Sequence, residues 1–293
     1  MNPKTISTLF LPHGVVMLHR FYRRTLGGHS LNSYLRSVRL ARQNKKFHDK
    51  YKGKRCFILA NGPSTKTLDI ERLSNEIVFT VSRGYQHNDY HKLRPLFHVI
   101  QPMNSNSWDK KDSVDYLSKM HDGLHDDVEI FANYTEEQLI NEMNLFPGRN
   151  LNYIFPDGTF GKFPKGLENI PNISGMIPGY QSIVILVLMI AMYMGFNRIF
   201  LIGTDHDSFI KGERRYAFES DIAENPTDPS MGLGYAIADP LRFQLRDNAS
   251  TYAQYHTVHN IAKNNGIDIY NASFGGVLDE FKRISLQEVL GRD

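Results

Sequence analysis

The chain alternates short, continuously apolar runs with longer segments of helical period, and this alternation limits the possible fold more than any other feature. The clearest runs are Cys56–Ala60, Ile77–Val81 and Arg198–Gly203, with weaker candidates at Leu96–Ile100, Val128–Ala132 and Ile267–Tyr270. A strand that is apolar along its whole length is buried on both faces, as in a parallel sheet covered by helices. We therefore predict an α/β, Rossmann-like fold with a mostly parallel sheet and helices on both faces.

Segments of helical period separate these strands. We predict helices over residues 31–50, after the turn at 61–64, and over Thr135–Met143, Gln181–Met194 and Ser250–Asn264. Thr135 is expected to cap its helix. The polar, Gly- and Pro-rich stretch over about residues 209–248 lacks a clear period, which in a compact domain is typical of a functional lid. The predicted organisation is a basic, amphipathic extension over residues 1–52 and one large domain over residues 53–293.

The first 55 residues carry most of the positive charge. They hold 13 Lys or Arg and one acid, Asp49, whereas the rest of the chain holds 21 bases and 30 acids. Apolar and aromatic residues are interleaved with the bases between Leu9 and Tyr22, which is typical of a segment that lies on an anionic membrane surface. We therefore expect residues 1–50 to bind anionic lipid. Docking onto the acidic remainder of the chain is the main alternative, and nucleic acid is not the expected partner.

The composition is that of an ordinary globular protein. The 293 residues are 41% hydrophobic and 22% charged, which excludes collagen-like, disordered and disulfide-rich classes. The one cysteine, Cys56, cannot form an internal disulfide, and this indicates a reducing, cytoplasmic location. The most apolar stretch, Ser182–Phe196, is shorter than the ~20 residues of a membrane-spanning helix, so we expect a buried helix there and at most peripheral membrane association.

A tight turn follows the first predicted strand. It consists of Asn61, Gly62, Pro63 and Ser64, and ligands of open α/β sheets bind at such turns, beyond the carboxyl ends of the strands. Gly62 would let the backbone approach a ligand closely, Pro63 would stiffen the turn, and the helix start at Ser64 would favour phosphate. A plain turn with a helix cap is the structural alternative.

Ser82 and Arg83 follow the second predicted strand in the same way. If the two strands are neighbours, both side chains lie beside Asn61, where the guanidinium could pair with a phosphate or a carboxylate. A surface salt bridge is the alternative role for Arg83.

A loop of small residues precedes the apolar helix. It runs from Ser174 and Gly175 to Ser182, and its backbone could form an anion-binding pocket. The structural alternative is a glycine loop in which Ser182 caps the helix.

Three ionisable side chains, Asp205, His206 and Asp207, follow the strand Arg198–Gly203. The two acids could hold Mg²⁺ or Mn²⁺ on a nucleotide diphosphate. Alternatively His206, or one of the acids, could be the general base that activates an acceptor hydroxyl. Capping of the next helix is the structural alternative.

Tyr252, His256 and His259 share one face of a predicted helix. A metal site would need a further ligand that the sequence does not reveal. His256 is nevertheless a second candidate for the catalytic base.

The motifs, taken in order, resemble the bacterial family-42 sialyltransferases and the related family first described as domain of unknown function 115, whose members include 6-hydroxymethylpterin diphosphokinase-like proteins. The resemblance spans about residues 54–285. It rests on Asn61–Ser64, Leu68-Asp69, Arg72-Leu73, Ser82–Tyr85, Ala132–Tyr134, Ile173–Gly175, Arg198–Asp205, Tyr216–Phe218, and Tyr270–Ser273 with Gly275-Gly276.

This resemblance implies a Rossmann-like, nucleotide-sugar-binding catalytic domain with a lid. The sialyltransferases transfer an acidic nine-carbon sugar from its cytidine monophosphate (CMP) donor without a metal. Asn61 and Asn133 would then belong to the donor nucleotide site, and Ser174 with Gly175 would line the cytidine pocket. Tyr216, in the lid, would donate a hydrogen bond to the leaving phosphate.

Three features depart from the sialyltransferase pattern. Ser82 stands where those enzymes have Asn, and Asp205–Asp207 stands where they have a second phosphate-binding Tyr. Their catalytic His precedes the penultimate helix, but Leu241–Ser250 contains no His, so His206 and then His256 are the candidate bases. The acidic metal-binding signature of the pterin kinases is not evident after the second strand.

We therefore predict a glycosyltransferase of surface-polysaccharide or lipopolysaccharide assembly at the cytoplasmic face of a membrane. The donor would be a CMP-linked acidic sugar, such as a sialic-acid relative or Kdo, and the acceptor a glycan or glycolipid. No cofactor is expected, although Mg²⁺ or Mn²⁺ on Asp205 and Asp207 stays open. The alternatives are a metal-dependent diphosphokinase of a pterin-like alcohol and a non-catalytic nucleotide-binding protein. The family resemblance also suggests a homo-oligomer.

Overall fold

The computed structural model describes residues 31–103, 109–159, 163–164, 166–207 and 241–291. In this part of the chain nine strands form one sheet: β1 (Arg55–Leu59), β2 (Val78–Val81), β3 (Phe97–Val99), β4 (Glu129–Asn133), β5 (Asn150–Pro156), β6 (Met176–Ile177), β7 (Arg198–Ile202), β8 (Asp268–Asn271) and β9 (Lys282–Arg283). The α-helices are α1 (Leu31–Arg42), α2 (Tyr90–Leu93), α3 (Lys110–Gly123), α4 (Glu137–Glu142), α5 (Ile183–Tyr193), α6 (Leu241–Asn264) and α7 (Leu286–Leu290). Every neighbouring pair of strands is parallel, which confirms the predicted α/β class.

Two layers of helices and turns cover the sheet. One face packs against α5, α6 and residues Phe47 to Tyr51, and this layer forms the largest apolar cluster. The other face packs against α3 and α4 at one end and against short 3-10 turns and α7 at the other. Because both faces are covered, β1, β2 and β7 are buried at almost every position, as their apolar sequences predict.

Helix α5 is the apolar stretch noted in the sequence. Its N-cap is Ser182, whose side chain accepts a hydrogen bond from the backbone N–H of Val184. All residues from Val184 to Tyr193 are buried between the sheet and α6. None of the helices in the described ranges is both long and apolar enough to cross a membrane.

The strand order β6-β5-β4-β3-β2-β1-β7-β8-β9 places a topological switch between β1 and β7. After β1 the chain turns onto one face through the 3-10 turns Pro63–Thr65 and Ile70–Leu73. After β7 the chain continues to α6, which packs on the opposite face. Open α/β sheets bind their ligands beyond the carboxyl ends of the strands at such a switch.

Several local expectations need correction. The predicted helix after the turn at 61–64 is a pair of 3-10 turns. Thr135 is not a cap: it lies in the 3-10 turn Tyr134–Glu136 before α4, and Asn133 caps that turn, since its side-chain oxygen accepts from the N–H of Thr135. Helix α6 begins at Leu241, so the last residues of the predicted lid are helical, and the rest of that segment lies outside the described residues together with Tyr216.

The second half of the basic extension packs on the body of the domain. The ring of Tyr34, in α1, meets Phe155 of β5 at 5.6 Å in an edge-to-face arrangement. Asn44 is fully buried, and its amide donates to the carbonyls of Tyr153 (2.8 Å) and Ile173 (2.9 Å). Residues 31–47 therefore dock onto the sheet, whereas the lipid-binding prediction for residues 1–30 falls outside the described residues.

Replacing Asn44 by Ala is expected to lower the free energy of unfolding by about 2 kcal/mol, because two buried carbonyls lose their donor. Asn32→Ala, at an exposed position of α1, is the control and should change it by less than about 0.5 kcal/mol. Urea unfolding followed by circular dichroism measures both. Equal effects of the two substitutions would mean that the buried hydrogen bonds of Asn44 do not contribute to the free energy of unfolding.

Candidate functional site

The loops after β1 and β7 are hydrogen-bonded to each other at the topological switch. The N–H of Gly62 donates to the carbonyl of Gly203 at 2.9 Å. Ser64 donates twice to Asp205, from its backbone N–H to Oδ2 (2.8 Å) and from its hydroxyl to Oδ1 (2.5 Å). The Asp205 carboxylate therefore caps the turn that Pro63 opens, and residues predicted from distant parts of the sequence meet here.

Two glycines permit this close approach. A Cβ atom on Gly62 would lie 2.6 Å from Asp205 Oδ2 and would overlap the carbonyl oxygen of Gly203. Gly203 itself has φ +70°, and a Cβ there would lie 2.6 Å from the carbonyl oxygen of Ala60. Gly62 is thus needed for the approach of the neighbouring loop, a role that sequence reasoning had assigned to the approach of a ligand.

The geometry of Asp205 bears on the predicted metal alternative. Each of its carboxylate oxygens accepts a hydrogen bond from Ser64. Among the residues that the structure describes, no group of three or more His, Cys, Asp or Glu side chains is arranged to hold a metal. An ion shared between Asp205, Asp207 and the phosphates of a nucleotide would need fewer protein ligands than that, so this alternative stays a prediction.

The Asn61 turn adjoins the start of the segment that carries Ser82 and Arg83, because β1 and β2 are neighbours. The Asn61 amide donates to the carbonyl of Val81 at 3.2 Å, immediately before Ser82. Ser82 is buried and has φ +50°. The Arg83 guanidinium lies over the ring of Tyr116, 5.5 Å from its centroid. The Asn61 side chain thus contacts the backbone just before Ser82, and the prediction that the Ser82 and Arg83 side chains lie beside it stays a prediction.

His206 follows β7 by four residues and has φ +51°. Its Nε2 atom is 2.8 Å from the hydroxyl of Tyr255, a fully buried residue of α6. Burial lowers the pKa of His206 to about 4, although the charge of Asp207 opposes this shift. The imidazole is therefore neutral at pH 7. Left-handed backbone at two non-glycine residues, Ser82 and His206, is the kind of strain that collects at functional sites.

Sequence reasoning missed the contribution of the loop after β8. The Arg283 guanidinium donates to four backbone carbonyls of this loop, those of Ser273, Gly275, Gly276 and Leu278. The loop is also joined to the one after β7. Val277 N–H donates to Asp205 O at 2.8 Å, and Thr204 N–H donates to the Ser273 hydroxyl at 3.0 Å. The paired glycines after a strand were the available sequence signal.

Asn133, Ser174 and Gly175 form a separate group near β5. The side-chain oxygen of Asn133 accepts from Thr135, and the Ser174 hydroxyl donates to the side chain of Asn172 at 2.7 Å. In the sheet, β4 is four strands from β7, which is about 19 Å at the usual strand spacing. These residues therefore do not adjoin His206, and only an extended ligand could contact both groups.

The structure does not place His256 beside His206. Its Nδ1 atom is 3.1 Å from Glu280 Oε1, and His259 Nδ1 is 2.9 Å from the same oxygen. Successive helix residues differ by about 100° in direction, so His256 points away when its neighbour Tyr255 faces His206. Its side chain is 66% exposed.

Comparisons with known proteins give one distant structural similarity. No protein-family model matches the chain, and no curated protein matches it. A solved structure described as a MAf glycosyltransferase from Magnetospirillum magneticum AMB-1 is similar to it, with a TM-score of 0.44 and 13% sequence identity. The match covers 86% of this chain and 38% of that protein, and at this distance it carries no argument about function.

Proposed function

We propose that the protein is a glycosyltransferase that uses a CMP-activated sugar. The observation that carries the proposal is the switch point between β1 and β7, where Asn61–Ser64 meets Asp205–Asp207 at the carboxyl edge of the sheet. Nucleotides bind to open parallel sheets at such points. The ordered set of motifs that resembles the CMP-dependent sialyltransferases supplies the choice of nucleotide.

The state of Asp205 favours a monophosphate donor. Transferases that use nucleotide diphosphate sugars commonly hold the diphosphate through a divalent ion on acidic residues. Asp205 already accepts two hydrogen bonds from Ser64. When the sugar of a CMP-linked donor is transferred, CMP is the leaving group, and N–H and O–H donors are sufficient to stabilise the charge on its single phosphate.

Asn61, Ser82 and Arg83 would bind the nucleotide. Asn61 offers an amide, Ser82 a hydroxyl, and Arg83 a guanidinium suited to a phosphate oxygen. His206 and Asp207 would face the reacting bond, since they follow β7, on the other side of the switch. The group of Asn133, Ser174 and Gly175 would serve only a nucleotide that extends along the edge toward β5.

The acceptor would be a glycan or glycolipid of surface-polysaccharide assembly. The support for this part is the basic charge of the first 55 residues. In α1 and the turn after it, Arg36 and Lys46 form ion pairs with Glu137 and Glu129 of the domain. Arg39, Arg42 and Lys45 are exposed and make up the basic side of this segment. An anionic membrane surface could therefore meet this basic side without disturbing the docked one.

Thermal denaturation with CMP, UDP, GDP and ATP, each with and without Mg²⁺ or Mn²⁺, tests the proposal. We expect metal-independent stabilisation by CMP, by about 2.7 kcal/mol at ~100-fold excess over Kd, which corresponds to a rise in Tm of about 5 °C. Arg83→Ala should weaken CMP binding about tenfold through loss of a charged hydrogen bond. The matched control is Arg94→Ala, an exposed arginine paired with Asp127.

Other outcomes of this screen would contradict the proposal in distinct ways. Stabilisation only by a diphosphate nucleotide with metal would indicate a different class of transferase. Stabilisation by ATP alone would favour a kinase. If CMP binds, release of CMP from CMP-sialic acid or CMP-Kdo separates an enzyme from a nucleotide-binding protein.

A further inference from the structure

A buried hydrogen bond joins α6 to the loop after β7. The Tyr255 hydroxyl, in α6, lies 2.8 Å from Nε2 of His206. Tyr255 is fully buried, so its hydroxyl must find its hydrogen-bond acceptor within the protein.

The hydroxyl proton of Tyr255 sets the direction of this bond. A buried O–H needs an acceptor, and Nε2 of His206 lies at hydrogen-bond distance from the Tyr255 hydroxyl. If Tyr255 donates to His206, its proton has that acceptor. In that arrangement Nε2 of His206 accepts, and the ring proton of the neutral imidazole is on Nδ1.

The surroundings of Tyr255 favour the same direction. The residue is fully buried, with its ring edge-on to His206 at 5.3 Å and to Phe281 at 5.8 Å. Burial raises the pKa of the Tyr255 hydroxyl, so it keeps its proton and can donate it. Burial also keeps His206 neutral at pH 7.

We propose that Tyr255 is a positioning residue that fixes His206 with Nδ1 protonated, so that His206 donates a hydrogen bond to the phosphate of the bound nucleotide instead of acting as a base. This rests on the function proposed above. A neutral imidazole can stabilise a developing anion through its N–H, because the donor is fixed before the charge appears. With Nε2 engaged by Tyr255, His206 has no ring nitrogen left to take a proton from an acceptor hydroxyl. The assignment therefore replaces the sequence-based expectation of a histidine base.

The first test reads the tautomer without any ligand. Long-range ¹⁵N–¹H correlation spectra of the histidine side chains at pH 7 report which ring nitrogen carries the proton, and a His206→Asn variant identifies the His206 signals. We expect Nδ1 protonated and Nε2 unprotonated in the wild type. Tyr255→Phe removes the donor to Nε2 and should shift population to the Nε2–H form. Tyr252→Phe, whose ring also contacts His206 from α6, is the matched control and should keep the wild-type pattern.

The second test separates phosphate recognition from general damage to the site. Calorimetric titration is performed with CMP and with cytidine, which lacks the phosphate. Tyr255→Phe should weaken CMP binding about tenfold and leave cytidine binding within twofold of wild type. Circular dichroism and Tm confirm that the variant folds.

Two results would overturn the assignment. One is an Nε2-protonated His206 in the wild type, and the other is an equal loss of CMP and cytidine affinity in Tyr255→Phe. A wild-type protein that does not bind CMP would reject the proposed function and the phosphate contact with it. The imidazole signals would still decide whether Tyr255 sets the tautomer of His206.

Discussion

Replacing Gly62 by Ala is expected to lower the free energy of unfolding by about 3 kcal/mol and to abolish CMP binding. The added Cβ would lie 2.6 Å from Oδ2 and 2.7 Å from Cγ of Asp205 and would overlap the carbonyl oxygen of Gly203. The backbone cannot move away easily, because Gly62 N–H is bonded to that same carbonyl. Relief of the overlap would break the hydrogen bonds between Ser64 and Asp205, and with them the contact between the two loops.

Gly175→Ala is the matched control for stability. Its φ is not positive, and the nearest atom to its Cβ would be the carbonyl oxygen of Asn172 at 3.8 Å, an ordinary contact. Urea unfolding of both variants should therefore differ by more than about 2 kcal/mol. A loss below about 1 kcal/mol for Gly62→Ala would show that the loops after β1 and β7 part easily and do not form a fixed site.

Acidification is expected to destabilise the protein through His98. This residue of β3 is fully buried, with Nδ1 2.9 Å from the Thr80 hydroxyl. Burial lowers its pKa from 6.5 to about 3. The unfolded chain therefore binds a proton that the folded protein does not, between these two pH values. Stability from the neutral, buried ring is complete above about pH 7 and is lost as the pH falls.

The expected size follows from the two pKa values. Between pH 7.5 and 4.5 the His98 contribution falls by about 2.7 kcal/mol, with a limiting slope of about 1.4 kcal/mol per pH unit. Urea unfolding across this range measures the free energy of unfolding against pH. In His98→Asn, the total change in that free energy between pH 7.5 and 4.5 should be smaller than in the wild type by about 2.7 kcal/mol. Thr80→Val, which removes the hydroxyl partner and keeps the ring, is the control that loses stability but retains the slope. An unchanged slope in His98→Asn would contradict the assignment.

The fold was largely predictable because its central strands β1, β2 and β7 are apolar at most positions. Runs such as Cys56–Ala60 and Arg198–Gly203 lie in β1 and β7 within a residue at each end. Strand β5 was missed because its sequence, Asn-Leu-Asn-Tyr-Ile-Phe-Pro, mixes polar residues and a proline into the run. Asn152 of this strand can be buried because its side-chain amide donates to the carbonyl of Ile130 and to the carboxylate of Glu129. Both partners belong to β4, so the sequence of β5 alone does not reveal them.

The candidate site was predictable in its location and less so in its contacts. The turn at Asn61 and the triplet at Asp205 each follow a strand, which the sequence shows. That Asp205 would bond to Ser64, 141 positions away, and His206 to Tyr255, 49 positions away, depends on the strand order and on the placement of α6. Contacts between residues so far apart in the sequence can be seen only in the tertiary structure. They show that Asp205 accepts hydrogen bonds from Ser64 and that His206 is hydrogen-bonded to Tyr255.

The two outermost strands of the sheet have a consequence for solubility. Both β6 and β9 are only two residues long, and β9 consists of Lys282 and Arg283. An open sheet margin displays unpaired peptide groups that invite another chain to add on, and brevity and positive charge both discourage this. The margins are therefore poor templates for the addition of a strand from another chain.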